Sequence, residues 1–439
     1  MMRFLLFSLI FISILFKVES QNVYTLQECI STGLEKNYSL LVAKNNETVA
    51  ENNFTPGNAG YLPSLDMNGR YNGSLNNTTQ NQRAGGQIVD KGLYGTTANA
   101  GIALEWTIFN GFNVQTTYKK LNELRELGTL RTQLEVENLI ADIISGYYNY
   151  IEQVQLLKNI QYAVTLSKER LRIDEERYLL GSSSKLQVLQ SRVYLNADSS
   201  RLSKQNDVIR EAEIRLNQLL AIEDLGARFN SQDTSVEVNP LLLYEKLMNE
   251  ALEKNTSLSI ASSNMTISEY DYKLIMSRSY PFLNLSTGYS YNLNTFASGA
   301  NKSQVTNGMN YGLTLGINLF DGFNQRRNIR NSSLAIQNQE LMYYEIEQGI
   351  KADLITIYNS YSNNLKLIKL EEQNLETATE NLEIALERYK LGSLSGIDLR
   401  EVQKSLLDAK ERLLLIEFQT KLAEISLQLI SGNIMEYYQ

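Results

Sequence analysis

The chain repeats itself, so whatever one half folds into, the other half folds into a second time. Leu34-Glu35-Lys36-Asn37 recurs as Leu252-Glu253-Lys254-Asn255. Pro63, Leu65 and Tyr71 recur at the same spacing of 218 as Pro281, Leu283 and Tyr289. Further on, Phe109-Asn110-Gly111-Phe112-Asn113 matches Phe320-Asp321-Gly322-Phe323-Asn324 at a spacing of 211. That spacing then holds for Arg177-Tyr178 and Gly181 against Arg388-Tyr389 and Gly392. The first half therefore has seven extra residues between Tyr71 and Phe109, in a segment of Asn, Thr, Gln and Gly that reads as a longer loop. The first repeat is expected over 21–222 and the second over 240–432, with a polar linker at 223–239 and a tail at 433–439.

Each repeat carries two segments of strand period. Leu283, Leu285, Tyr289, Tyr291 and Leu293 alternate with Asn284, Ser286, Gly288, Ser290 and Asn292. Tyr311, Leu313, Leu315, Ile317 and Leu319 alternate with Asn310, Gly312, Thr314, Gly316 and Asn318. In the first repeat Ile102, Leu104, Trp106 and Ile108 alternate with Gly101, Ala103, Glu105 and Thr107, while the partner segment is weaker, with Gly69 and Gly73 on its apolar face. The expected strands are 65–75, 97–109, 283–294 and 309–320, each about eleven residues, the span a tilted transmembrane strand needs. Hairpins packed on a soluble core share this pattern. In a bilayer, four strands cannot close a barrel, which needs about eight or more, and open edges do not survive in lipid. Two or three chains would then have to contribute.

Between the strands and the end of each repeat lie long helices. Residues 114–179 and 325–390 contain no proline. Ile143, Tyr150, Leu157, Val164, Leu171 and Tyr178 fall at steps of seven, as do Leu354, Tyr361, Ile368, Leu375, Leu382 and Tyr389. A sustained seven-residue apolar period indicates a coiled coil, and such a helix is roughly 100 Å long at 1.5 Å per residue. The long helices are expected over 113–180 and 324–391, broken by Gly181 and Gly392, with return helices over 184–221 and 395–431. The stripe beside the seam is mixed, with Gln153, Ser167, Asp174, Asn364 and Glu371. A narrow apolar seam suits a hollow, water-filled bundle, although an antiparallel coiled-coil rod would show the same heptads.

Composition narrows the chemistry. With no His there is no imidazole triad or imidazole metal site. The single Cys29 makes no intrachain disulfide or multi-Cys zinc site. A net charge of −8 without a basic block argues against nucleic acid. No catalytic constellation is visible, so no enzyme activity, cofactor or metal site is expected. Residues 1–20 read as a signal peptide: Arg3, an apolar run over 4–16, then Val18 and Ser20 at the −3 and −1 positions before Gln21. A short membrane anchor is the alternative. Leu26-Gln27-Glu28 before Cys29 lacks the small residues of a lipoprotein cleavage box, so no lipid is expected. No later stretch is apolar enough for a transmembrane helix.

The order helix, strand, strand, long helix, tip turn, helix, duplicated behind a signal peptide, resembles the TolC family of outer-membrane efflux channels. The residues carrying the resemblance are the strand-to-helix turns Phe109-Asn110-Gly111 and Phe320-Asp321-Gly322, and the tip segments Arg177-Tyr178-Leu179-Leu180-Gly181 and Arg388-Tyr389-Lys390-Leu391-Gly392. The resemblance implies a mixed α/β membrane protein in the outer membrane of a Gram-negative bacterium, extending into the periplasm. It implies a homotrimer whose four strands per chain form one 12-stranded transmembrane β-barrel in outer-membrane lipid, continuous with a long antiparallel α-helical coiled-coil tunnel. A periplasmic adaptor protein and an inner-membrane RND or ABC pump complete the path.

The same resemblance carries roles onto particular residues. Asp398 and Glu401, six and nine positions after Gly392, would form acidic rings at the periplasmic entrance, favouring cations. Read without it, they are solvated charges on a helix. Tyr389 would be the entrance gating contact, but the family's partners for it are absent: Gln187 stands where an Asp is usual and Leu394 where an Arg is usual. Leu180-Gly181-Ser182 and Leu391-Gly392-Ser393 would dock the adaptor. Gly111 and Gly322 suit turns that need positive φ, and Asn113 and Asn324 could cap the helices that follow. The function implied is the passive exit channel of a tripartite efflux system. Export of a protein substrate by type I secretion, and a secreted coiled-coil scaffold or adhesin, are the alternatives.

Overall fold

The computed structural model describes residues 23–298 and 301–437; the expected signal peptide and Gln21 lie outside them. In chain order the elements are β1 (Val23–Tyr24), α1 (Leu26–Lys36), α2 (Tyr38–Asn53), α3 (Pro56–Ala59), β2 (Ser64–Asn81), β3 (Gln87–Asn110), α4 (Asn113–Leu179) and α5 (Lys185–Leu219), then β4 (Asn230–Ser231). The second half gives α6 (Tyr244–Lys254), α7 (Thr256–Ser277), β5 (Phe282–Thr295), β6 (Ser303–Gly316), α8 (Asn324–Lys390), α9 (Gly396–Ile430) and α10 (Ile434–Tyr437). The chain forms two compact units, one of 23–44, 132–258 and 346–437, the other of 45–131 and 259–345. None of the described helices is long and apolar enough to cross a membrane.

The helix expected to open each repeat is two helices, and the repeated Leu-Glu-Lys-Asn motif explains the break. Asn37 and Asn255 end α1 and α6 in extended conformation, at ψ 128° and 122°. Each then serves both flanking chains. Asn37 Nδ2 donates to the Leu219 carbonyl at 3.0 Å and its Oδ1 accepts from Leu40 N at 3.2 Å. Asn255 Nδ2 donates to the Ile430 carbonyl at 2.9 Å, and its Oδ1 accepts from Ser257 N and Leu258 N at 2.9 and 3.2 Å. One side chain thus caps the next helix start and satisfies an orphan carbonyl at the end of the return helix.

In the unit of 45–131 and 259–345, one antiparallel sheet runs β2-β3-β5-β6. Register keeps the apolar residues together: Met67 faces Ile102, Ile102 faces Tyr289, and Tyr289 faces Met309. Two strand expectations need correction. The first hairpin is not confined to 65–75 and 97–109, because the polar segment read as a loop continues the ladder, with Thr78–Asn81 paired to Asp90–Gln87 beyond a bulge at Asn77. Backbone pairing does not require an apolar alternation, which is why composition concealed it. The last strand runs over Ser303–Gly316, not 309–320. Gly316 pairs with Phe282, and the preceding Pro281 has no N–H to offer residues beyond.

In the other unit the linker is not a loose connector. Phe229 is fully buried and stacks on Tyr24 at 5.2 Å, and β4 pairs with β1. Tyrosines at equivalent places in the two repeats hold the segment. Tyr150 Oη donates to the Phe229 carbonyl at 2.6 Å and Tyr147 Oη bonds Asp233 at 2.9 Å. In the second half Tyr361 donates to the Asn239 carbonyl and Tyr358 to that of Leu242. The core behind them gathers Cys29, Ile143, Ile144, Leu216 and Leu220 around Tyr147, and a second cluster packs Leu354 and Leu427 around Tyr361. Burial pushes the Cys29 thiol up to about 12, so it stays protonated.

Candidate functional site: the helix tips and the strand-to-helix turns

The tips follow from local rules. At the end of α4, Gly181 takes φ +74°, its N–H bonds the Tyr178 carbonyl at 3.0 Å and the Ser182 N–H bonds that of Arg177 at 2.9 Å. At the end of α8, Gly392 takes φ +79° with the matching bonds to Tyr389 and Arg388 at 3.0 and 2.9 Å. Both are glycine C-caps of the Schellman kind. Leu180 and Leu391 stand exposed on these turns, each at 82%. Ser182, Gln187, Tyr389, Ser393, Leu394 and Gly396 line a common cavity of about 620 Å³, so both turns meet at one place.

Asp398 and Glu401 are exposed on the first turns of α9. Asp398 also has a local task. Ser395 caps α9, accepting from Asp398 N at 3.1 Å while its hydroxyl donates to Asp398 Oδ2 at 2.7 Å. Ser184 caps α5 in the same way, and there the Gln187 side chain completes a capping box.

Tyr389 is buried, and its partners differ from those sought at Gln187 and Leu394. Its hydroxyl donates to Asp174 Oδ1 on α4. Arg177 donates to the Tyr389 carbonyl and lays its guanidinium over the ring at 4.7 Å. Burial first, and then the bond to Asp174, push the Tyr389 hydroxyl up to about 12, so it donates at any physiological pH. Leu394 instead joins an apolar cluster of Leu382, Ala385, Leu399 and Leu406.

Asp174 belongs to a buried polar ladder that was not anticipated. Ser191 Oγ donates to Asp174, Ser167 Oγ to Asp198, and Gln205 Nε2 to Gln153 Oε1 at 2.9 Å. Ser167 and Asp174 stand in the mixed stripe beside the heptad seam, and the structure buries both because their partners on α5 are polar too. Arg400 on α9 donates to Asp198 through Nη1 and Nη2, and the bond to Asp198 raises its already high pKa. Arg170 and Arg400 both stack on the Tyr194 ring, at 4.9 and 5.1 Å. The signal was present: Ser191, Asp198 and Gln205 fall at steps of seven on α5. In the second repeat the positions equivalent to Ser167, Asp174 and Asp198 are Ala378, Ala385 and Ala409. The two tip hairpins therefore have different interiors, one hydrogen-bonded and one apolar.

At the other end of each long helix, Gly111 and Gly322 take φ +64° and +70°, and Phe112 and Phe323 after them are also positive, at +66° and +64°. The helix caps are Asn110, accepting from Val114 N at 3.3 Å, and Asp321, accepting from Gln325 N at 2.6 Å. Asn113 and Asn324 lie too late to cap; Asn113 bonds Ser277 Oγ at 3.0 Å and Asn324 the Asp321 carbonyl at 2.7 Å. Among the described residues no cluster of carboxylates and Cys is arranged to hold a metal ion.

Comparison with known proteins follows the same lines. The family model of the outer membrane efflux protein matches residues 29–221 and 247–433. The outer membrane protein TolC of Vibrio cholerae is 21% identical over 315 residues, covering 68% of this chain and 69% of that one. Among solved structures, the Campylobacter jejuni CmeC outer membrane channel aligns with a TM-score of 0.74 at 18% identity, covering 93% of this chain and 85% of CmeC. The outer membrane protein VceC of Vibrio cholerae aligns at 0.72 and 15% identity, covering 93% and 96%. At these identities the structural likeness is one of fold. Matched by the family model through most of both halves, the chain belongs to the outer membrane efflux protein family.

Proposed function

We propose that this outer-membrane protein acts as a homotrimeric exit duct of a tripartite efflux system. Three copies of the sheet make one 12-stranded transmembrane barrel, and their long helix pairs make a tunnel across the periplasm. A periplasmic adaptor and an inner-membrane RND or ABC pump complete the system and supply the energy; the duct conducts passively. The two halves, in this reading, descend from one duplicated unit.

The observation that carries the proposal is the sheet. Its apolar face is open in a single chain, with Met67, Tyr71, Met309, Tyr311 and Leu315 all well exposed. Among the described residues β2 pairs only with β3 and β6 only with β5, which leaves an open edge on each side. An apolar sheet with two open edges is stable neither in water nor in lipid. Copies that offer β2 to the next chain's β6 close the ring and give the apolar face to lipid.

At the entrance, Asp398 and Glu401 contribute rings of carboxylates that favour cations. Tyr389 is the gating contact, and the exposed turns at Leu180-Gly181-Ser182 and Leu391-Gly392-Ser393 dock the adaptor. The test is reconstitution of detergent-extracted protein in planar bilayers, with unheated gel electrophoresis to read the oligomer. The expected result is a trimer passing a cation-selective current, with the selectivity reduced in an Asp398→Asn, Glu401→Gln double variant. A monomer that passes no current would overturn the reading.

A further inference from the structure

Arg170 is 4% exposed, and its Nε and Nη1 donate no hydrogen bond among the described residues. Its Nε stops 3.9 Å from Asp174 Oδ2, close enough for attraction but beyond hydrogen-bond reach. Asp174 is already occupied, accepting from the hydroxyls of Tyr389 and Ser191. Arg170 is held nearby by its stack on Tyr194 and by the close approach of Nη2 to Gly396, where an added Cβ would lie 3.0 Å away. A buried guanidinium left short of acceptors is costly, and so is a buried carboxylate whose donor is withdrawn. The two deficits are adjacent and complementary.

We propose that Arg170 is a positioning residue for channel opening: when Tyr389 leaves Asp174, Arg170 closes the gap and takes the freed carboxylate. This rests on the gating role given to Tyr389 above. In the closed arrangement Asp174 is held by Tyr389, and α8 is tied to α4. In the released arrangement the same carboxylate is held by Arg170 within α4, so α8 moves away without leaving an unpaired charge behind. Arg170 thus favours the released state. The second repeat has Ala385 in place of the carboxylate, so the device exists once per chain.

The proposal differs in sign from simple bracing. A residue that merely props the closed tip leaks current when removed; a residue that receives the freed carboxylate reduces opening when removed. The experiment compares single-channel open probability of reconstituted trimers of wild type, Tyr389→Phe, Arg170→Gln and the double variant. Tyr389→Phe is expected to raise open probability. Arg170→Gln is expected to leave the wild-type channel closed, and to reduce opening on the Tyr389→Phe background on the order of ten-fold, with Arg170→Lys restoring most of it. A rise in open probability with Arg170→Gln alone, or equal opening of Tyr389→Phe and the double variant, would overturn the proposal. Should Arg170→Gln not assemble, Arg170→Met fills similar volume without charge and carries the same comparison. Absence of current from wild type and Tyr389→Phe alike would instead count against the channel reading itself.

Discussion

Arg400 grips Asp198 with both terminal nitrogens, Nη1 on Oδ2 and Nη2 on Oδ1, each at 2.8 Å. The pair ties the start of α9 to the middle of α5, with side chains 21% and 9% exposed. Bidentate geometry and partial burial set it apart from a surface pair. Arg201 and Glu411 also join α5 to α9, at 2.5 Å, but are 48% and 39% exposed.

The two pairs should therefore differ when cut. Asp198→Asn leaves a half-buried guanidinium without its counter-ion and is expected to cost about 2 kcal/mol, with a lowered Tm. Glu411→Gln is expected to cost under ~1 kcal/mol because water screens the pair. Thermal unfolding of purified protein reads both. Equal losses would mean that the Arg400 fork contributes nothing beyond a surface contact.

Gly111 and Gly322 occupy equivalent turns, yet their surroundings differ. A Cβ on Gly111 would lie 2.3 Å from the Ser277 carbonyl and 2.7 Å from Tyr280 Cβ, whereas one on Gly322 meets only Asn324 Nδ2 at 3.8 Å. Gly322→Ala then carries only the left-handed backbone penalty, about 1–2 kcal/mol, and should still yield assembled protein in the outer membrane. Gly111→Ala adds a clash with backbone and should abolish assembly. Outer-membrane fractionation separates the two outcomes; comparable yields would show that the Ser277–Tyr280 segment yields to the added methyl.

Much of the architecture was legible because it rests on periodicity. The heptads through Tyr150 and Tyr361 run unbroken by proline, and α4 and α8 follow them to Leu179 and Lys390, two residues before Gly181 and Gly392. The alternation from Leu283 to Leu293 likewise lies within β5. What escaped was pairing set by distant partners. The ladder through Thr78–Asn81 has polar residues on both faces, so no local pattern marks it. Tyr389 stands out in the sequence only through the family resemblance and as the last member of its heptad, and its partner Asp174 lies 215 residues away and, by itself, reads as a solvated acid. Ser191, Asp198 and Gln205 make a polar heptad, and only facing partners distinguish a buried one from a wet one.

Glu152 gives the molecule a pH response. It is buried on α4, and desolvation raises its carboxyl to about 7, opposed by the Gln153 amide at 3.1 Å and assisted by Glu411. The unfolded chain ionises near 4.5 and the folded chain near 7. Ionisation therefore favours the unfolded state as pH rises through that window, and stability falls between the two values. Below the lower value both states are neutral and no penalty remains. Glu152→Gln should raise Tm at pH 8, equivalent to on the order of 2 kcal/mol, and change little at pH 4. A stabilisation of equal size at both pH values would trace to packing instead.

The last turns of α5 and α9 make an opposed pair of tests. Ala221 and Gly432 are equivalent positions, both just beyond a helix end and both left-handed, at φ +49° and +73°. Each closes the same pair of bonds: Ala221 N to Gln218 O at 3.1 Å with Ile222 N to Asn217 O at 2.9 Å, and Gly432 N to Leu429 O at 3.1 Å with Asn433 N to Gln428 O at 2.9 Å. Ala221 bears a methyl in a region that disfavours one by ~1–2 kcal/mol, partly offset by the smaller entropy an alanine loses on folding. Ala221→Gly should thus stabilise modestly, by about 0.5–1 kcal/mol. At Gly432 the same exchange reversed meets Lys254, whose carbonyl would lie 2.8 Å and Cβ 2.9 Å from the new methyl. Gly432→Ala adds that clash to the backbone penalty and should destabilise by more than ~2 kcal/mol. Denaturant midpoints of the two variants should move in opposite directions, and a shift of the same sign in both would show that backbone strain does not govern these helix ends.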